Sequence, residues 1–400
     1  MYRLFFKLAL RHIDAERAHV LASWLLPTVR STRLGRAIVG RLVGATDERL
    51  GVRALGLTFS SPLGAAAGVD KDARWVADLG ALGFGCVEVG TVTAREQSGN
   101  PRPRVARVVG DRALVNRMGF PNPGAHAVAE RLRHRPETPV VGVNIGKSAG
   151  TPLDSAASDY RASVQQLAGL ADYIVLNVSS PNTPRLREMQ SVALLGPLVG
   201  EVRSELNAAG RQVPLLVKIG PDLDDVELDA VSALAVELAL DGIVAVNTTV
   251  DRGALTDPTH STVAFAGGGV SGAPLRSRAL EVLRRLHANV GDSLVLISVG
   301  GIETADDAWE RILAGATLVQ AYSGFIYGGP AWPRAINRAL ARRVGDAGCA
   351  SIQEVVGAGQ ARPRSPVMPS RGSGAASLSP NPSSPQTYCG QGPNGAPLGK

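Results

Sequence analysis

A (β/α)8 barrel, class α/β, is the fold this 400-residue sequence predicts. Three observations carry it. From Leu57 onward eight short apolar runs alternate with segments of helical period. The alternation extends over roughly 270 residues, the size and rhythm of such barrels. Every apolar run also ends in Gly, Lys, Asn or a hydroxyl residue, and barrel enzymes keep their chemistry at the carboxyl ends of their strands. A doubly wound sheet is the alternative, because strand order is not written in a sequence.

Composition agrees with a globular α/β chain: 44% of residues are apolar and only 4% aromatic. The formal charge of +7 points first to nucleic acid or a membrane. Its location decides between them. Residues 1–44 hold eight Lys or Arg against two acids, and 351–400 hold four against one, so the body is nearly neutral. Nucleic acid is therefore not expected as a partner. Cys86, Cys349 and Cys389 show no metal-ligand spacing, and an odd count argues against a disulfide framework. A reduced, cytoplasmic environment fits.

The first ten residues are apolar but broken by Arg3 and Lys7, too short to span a bilayer and followed by no cleavage site. A second helix starts at Asp14, which can cap it, and runs to Pro27. Two short amphipathic helices with basic flanks read as a segment that lies on a membrane surface. A helical hairpin packed on the body fits them equally. Arg30, Arg33, Arg36 and Arg41 then lead into the barrel.

The strands are expected at 63–67, 86–89, 140–144, 173–177, 215–218, 242–247, 294–299 and 318–321. Helix-period segments fall at 73–82, 159–170, 226–240, 275–289 and 304–314. After the strands come Gly68-Val69-Asp70-Lys71, Gly90-Thr91, Asn144-Ile145-Gly146-Lys147, Asn177 to Thr183, Lys218, Asn247-Thr248-Thr249, Gly300-Gly301 and Tyr322-Ser323-Gly324. One shared pocket explains the repetition economically. From Gly357 the last 44 residues contain 23 Gly, Pro or Ser and no period. Such a tail is expected to be disordered and to take no catalytic part.

The stretch Asn177 to Thr183 offers two amides and three hydroxyls directly after a strand, too polar for a core unless it holds something. As an isolated stretch it would also suit a capped turn. Gly300-Gly301 and Tyr322-Ser323-Gly324 supply free N–H groups and a hydroxyl where barrels often bind phosphate. Gly267 to Gly272 matches G-x-G-x-x-G but lacks the strand-turn-helix context of a dinucleotide site. Lys71 and Lys218 end strands, where a cation stabilises negative charge on a group that gains electrons. Either alone would also suit a surface ion pair. Asn116, Asn144, Asn177, Asn182 and Asn247 suit a flat ring bearing amide groups. No carboxylate pair, His-Asp pair or metal cluster stands at the strand ends, which disfavours glycoside and metal-assisted hydrolysis. From the residues alone the reading is a phosphate-bearing cofactor and a planar polar substrate.

Taken together and in order, these motifs resemble dihydroorotate dehydrogenase, specifically its membrane-associated, quinone-reducing class. The resembling residues are 66–71, 88–93, 99–101, 116–120, 144–147, 177–183, 217–219, 247–249, Gly272, 299–302 and 322–324, and the likeness covers about residues 1–343. It implies an FMN enzyme that oxidises (S)-dihydroorotate to orotate in pyrimidine synthesis and passes electrons to menaquinone or ubiquinone. Carried over by position, FMN would meet Ala67, Gly68, Val69, Asp70, Lys71, Thr91, Asn144, Asn177, Lys218, Val246, Gly272, Gly301, Tyr322 and Ser323. The substrate would meet Lys71, Asn116, Arg117, Met118, Gly119, Phe120, Asn177, Asn182, Asn247 and Thr248. Ser180 falls at the catalytic base, with Thr183 or a water near Phe120 taking its proton onward. Serine there also separates this class from the soluble ones, which use fumarate or NAD and carry cysteine. His19 and Arg107 match positions lining the quinone entry, although His19 alone would read as a helix-surface histidine.

Three residues depart from the family pattern: Val246 for a threonine, Pro121 for an asparagine and Ala106 for a bulkier residue. Val246 is expected to remove one hydrogen bond to FMN, about 0.5–1.5 kcal/mol, and so to weaken flavin retention without abolishing it. The expected organisation is 1–44 as membrane and quinone-entry helices, 45–345 as the barrel and 346–400 as the tail. The protein is expected to be a monomer, peripheral on the cytoplasmic side of the cell membrane. A basic binding protein that keeps the barrel as scaffold is the non-enzymatic alternative; salt-dependent nucleic-acid binding without flavin would favour it.

Overall fold

The strands fall where apolar, β-branched runs make a backbone that can be buried on both faces. The computed structural model describes residues 2–22, 32, 47–256 and 267–360. In chain order its strands are β1 (Val52–Ala54), β2 (Leu57–Phe59), β3 (Leu63–Ala65), β4 (Cys86–Val92), β5 (Val105–Val108) and β6 (Ala113–Asn116). They continue with β7 (Val140–Gly146), β8 (Tyr173–Asn177), β9 (Leu215–Ile219), β10 (Gly242–Ala245), β11 (Gly269–Gly272), β12 (Val295–Val299) and β13 (Leu318–Ala321). Eight of them close a parallel barrel in the order β3, β4, β7, β8, β9, β10, β12, β13, and β13 pairs back to β3 through Val319 and Leu63. This is the predicted (β/α)8 barrel. The doubly wound alternative falls, because an open sheet leaves its edges unpaired.

Every residue of β4, β7, β8 and β9 is buried. The barrel is filled below the site by Cys86, Tyr173, Glu88 and Gln320, all fully buried. Gly142 has to be glycine, since a Cβ there would lie 2.1 Å from the Tyr173 ring. Around the barrel run helices such as Ala156–Leu167, Asp225–Glu237, Arg276–Val290 and Ala305–Leu313, close to the predicted segments. Capping boxes start two of them, Asp224 with Glu227 and Thr304 with Asp307.

Two small sheets lie outside the predicted set. β1 and β2 form a hairpin, while β5, β6 and β11 form an antiparallel sheet in which Gly269 pairs with Asn116. The G-x-G-x-x-G match thus belongs to this sheet and opens no dinucleotide helix. At the amino end, helix Tyr2–Leu8 is followed by a helix from residue 15, whose start is capped by the Asp14 carboxylate accepting from the N–H of Arg17 at 2.9 Å.

At the other end the boundary expected at 346 falls inside packed structure. Helix Trp332–Asp346 leads to a 3-10 turn, Ile352–Val355, whose Ile352 and Val355 are buried. Residues 361–400, most of the predicted tail, lie outside the described residues, as do 23–31 and 33–46 of the amino-terminal segment.

Candidate active site

A cavity with about 1170 Å³ of empty space, open solvent at its mouth included, lies at the carboxyl ends of the barrel strands. The β5–β6–β11 sheet contributes Val105, Leu114, Asn116, Ser271 and Gly272 to its wall.

Of the sequence-predicted residues, Ala67, Gly68, Lys71, Thr91, Asn116, Met118, Gly119, Phe120, Asn177, Ser180, Asn182, Lys218, Val246, Asn247, Thr248, Gly272, Gly301, Tyr322 and Ser323 line this one cavity. Val69, Asp70, Asn144 and Arg117 do not. Asp70 is buried and accepts from the N–H groups of Trp75 at 2.7 Å, Arg74 at 3.0 Å and Asp72 at 3.2 Å, so it shapes the turn that presents Lys71. Burial raises its pKa although those N–H groups oppose the shift.

Asn144 works from behind the wall. Its Oδ1 accepts from Thr91 at 2.6 Å and from Asn177 at 3.2 Å, and its Nδ2 donates to Glu88 at 2.7 Å. Asn177 is fixed further: its Nδ2 donates to Thr91 Oγ1 at 2.8 Å and its Oδ1 accepts from Asn247 at 3.2 Å. Asn182 donates to Asn116 Oδ1 at 3.1 Å. The amides that face the cavity are therefore held in single orientations before anything binds.

Glu88 lies under this network, with Lys218 Nζ 3.5 Å from its Oε1 and Gln320 Nε2 2.8 Å from its Oε2. The pair leaves the lysine charge within the cavity wall and neutralises the buried carboxylate. Gln320 also lines the cavity, and its Oε1 is buried without a partner. Sequence reasoning assigned no role to Glu88, Gln320 or Ser271. A Glu inside Cys86–Val92 and a Gln inside Leu318–Ala321 were the available signals, since a wholly buried strand rarely carries such side chains without need.

Ser180 is buried, and its Oγ accepts from the N–H of Asn182 at 3.3 Å. Among the described residues lining the cavity there is no Asp, Glu or His, and Lys71 and Lys218 are its only ionisable cations. Nearby Thr183 has a buried hydroxyl without a partner. At the far end Gly272, Gly300 and Gly301 have φ of +98°, +110° and +73°. A Cβ on Gly301 would lie 2.3 Å from Arg276 Cα, so the backbone there approaches the cavity bare.

His19 and Arg107 meet different neighbours. His19 Nε2 is 3.3 Å from Lys71 Nζ and its ring lies 4.9 Å from Trp75; burial, aided by the Lys71 charge, pushes its pKa down to about 3. Arg107 donates to the carbonyls of Leu10 and Ile13 and lies 5.9 Å from the Phe6 ring, beside which Tyr2 and Tyr327 pack. Of the three departures, Val246 and Pro121 line the cavity and Ala106 lies in β5 outside its lining.

A sequence model of the family "Dihydroorotate dehydrogenase" matches residues 49–344. The chain is 54% identical over 362 residues to a dihydroorotate dehydrogenase (quinone) of Thermobifida fusca, covering 89% of this chain and 96% of that protein. It is 53% identical over 351 residues to the protein of that name from Mycobacterium tuberculosis, covering 88% and 96%. The crystal structure of DHODH from Eimeria tenella in complex with ferulenol superposes with a TM-score of 0.79 at 34% identity, covering 89% of this chain and 98% of that one. With its barrel, its cavity and this span of likeness, the chain belongs to the dihydroorotate dehydrogenase family.

Proposed function

We propose that this protein oxidises (S)-dihydroorotate to orotate in pyrimidine biosynthesis, with FMN as cofactor and a membrane quinone as acceptor. The observation that carries the reading is the lining itself. Ser180 stands among Asn116, Asn177, Asn182 and Asn247 in a cavity whose described walls hold cations and amides and no acid. Both substrate and product are carboxylates with flat amide edges, and such a site receives them without repulsion.

The residues fit FMN. The bare backbone at Gly272, Gly300 and Gly301, with Ser323, would receive its phosphate, and Ala67, Gly68, Thr91, Lys218 and Val246 would hold its ring system, with Asn144 bracing from behind. The unpartnered Gln320 Oε1 supplies an acceptor for a ring N–H. When bound, the flavin would take up the hydride that leaves the substrate and hand the electrons to quinone.

Lys71 and the four asparagines orient the dihydroorotate ring and its carboxylate. Ser180 takes the proton lost from the carbon next to the one that gives up hydride, and its own proton leaves through Thr183 or a water beside Phe120.

Leu4, Phe5 and Leu8 of the first helix are 61%, 55% and 70% exposed, which favours a surface that lies on a membrane. Among the described residues no helix is long and apolar enough to cross a membrane. The quinone would enter beside Arg107, Tyr2 and Phe6, with His19 at the Lys71 end, and the 1–44 segment would form that entry.

The test is the anaerobic visible spectrum of the purified protein. Dihydroorotate should bleach a flavin band and a quinone should restore it. A flavin band that dihydroorotate leaves unchanged would sink the assignment, and a protein with no flavin that binds nucleic acid in a salt-dependent way would favour the scaffold alternative.

A further inference from the structure

The helix that starts at residue 15 reaches the substrate half of the cavity through a continuous set of hydrogen bonds. The Glu16 carboxylate accepts from Arg104 Nη2 at 2.7 Å and from its Nε at 3.1 Å and 3.2 Å. Both side chains are largely withdrawn from water, 13% and 6% exposed. Burial pushes the Glu16 carboxyl up, but the hydrogen bonds and charges of Arg104 and Arg102 outweigh it and leave its pKa low.

Arg104 turns its other nitrogen inward, where Nη1 donates to the carbonyls of Ser98 at 2.5 Å and Asn100 at 3.0 Å. The Asn100 side chain then donates to the carbonyls of Arg117 at 2.9 Å and Asn182 at 3.2 Å, and its backbone N–H donates to Met118 at 2.9 Å. Asn182 is the residue whose N–H meets Ser180 Oγ and whose side chain meets Asn116. The path therefore runs from Glu16 through Arg104 and Asn100 to the loop that carries the base. One helical turn along, His19 touches Lys71, so the same helix face braces a second substrate residue.

We propose that Arg104 is a positioning residue for the dihydroorotate half-reaction and that Glu16 holds it in place. The amino-terminal helix then serves the substrate side of the reaction as well as the acceptor side. The inference rests on the functional reading above. Without Glu16 the buried guanidinium loses its counter-charge, and a cation in that position turns toward water. It would release Ser98 and Asn100, and Asn100 would no longer hold the carbonyls of Arg117 and Asn182, the latter being the partner of Asn116. Arg102 also reaches Glu16, at 3.0 Å, but is 70% exposed and holds no other part of the path.

The experiment is anaerobic stopped-flow reduction of the flavin by dihydroorotate in the full-length holoenzyme, with no quinone present. Glu16→Ala and Arg104→Lys should raise the dihydroorotate concentration for half-maximal rate by about tenfold, because small displacements of positioning groups are costly. Glu16→Gln, which keeps a neutral acceptor, should fall between them and wild type, and Arg102→Ala should match wild type. Variants that reduce at wild-type concentrations and lose only reoxidation by quinone would overturn the inference, as would an equal effect from Arg102→Ala. Loss of bound flavin in Glu16→Gln as well as Glu16→Ala would also overturn it, by making the pair a condition of folding. A wild-type flavin that dihydroorotate does not bleach removes the functional reading, and this inference with it.

Discussion

Ser180 accepts from one backbone N–H and hydrogen-bonds to no ionised side chain, so as the proposed base it has to draw its reactivity from where its proton can go. Ser180→Ala should lower dihydroorotate-driven flavin reduction by about 10²- to 10⁴-fold while flavin absorbance is retained, read by stopped-flow. Lys218 is different in kind, since it neutralises a carboxylate inside the barrel. Lys218→Ala should cost stability by about 3–5 kcal/mol in denaturant unfolding, because Glu88 is then buried without its partner. Both line the same cavity and both were legible, Lys218 as a lysine at a strand end and Ser180 within the polar stretch from Asn177 to Thr183. Glu88, Gln320 and Ser271 were not, because each is a single polar residue inside a segment whose length and neighbours read as core or loop. Val69 and Asp70 were legible as part of a motif, but the motif does not say that Asp70 turns away from the cavity to hold three backbone N–H groups.

The barrel strands announced themselves because a buried parallel strand is a dense apolar run. The antiparallel sheet over the cavity did not, since Val105–Val108, Ala113–Asn116 and Gly269–Gly272 are short and the last joins the other two across a long gap in sequence. Helix 15–22 was legible from Asp14, whereas its ion pair with Arg104 depends on a loop whose path no periodicity encodes. That helix carries a pH dependence. His19 takes up a proton only near pH 3 when docked but near 6.5 when free, so the undocked segment binds more protons between these values. The stabilisation of docking that comes from His19 is therefore fully present above pH 6.5 and is lost as pH falls toward 3; Glu16, lowered from 4.5, acts in the same direction. Hydrogen exchange of residues 15–22, corrected for its intrinsic rate, should accelerate between pH 7 and pH 5. In His19→Gln that acceleration should shrink.

For the whole molecule, the proposed membrane face and the cavity make separable predictions. Replacing Leu4, Phe5 and Leu8 together by Glu should abolish co-sedimentation with phospholipid vesicles and leave flavin content unchanged, since these side chains point to solvent. Gly301→Ala should do the reverse. Its Cβ has no room beside Arg276, so bound flavin, measured by absorbance after gel filtration, should fall while vesicle binding persists.

The closure of β13 onto β3, with β11 laid against β6, also bears on how the protein is made. The proposed phosphate end joins Gly272, Gly300 and Gly301 to Ser323, so no nascent fragment ending before residue 323 contains all of it. On that proposal, cofactor loading comes last in biogenesis. In refolding, added FMN should accelerate or amplify the final kinetic phase and leave the earlier ones unaltered. A cell short of flavin would accordingly accumulate closed, colourless barrels, not unfolded chains.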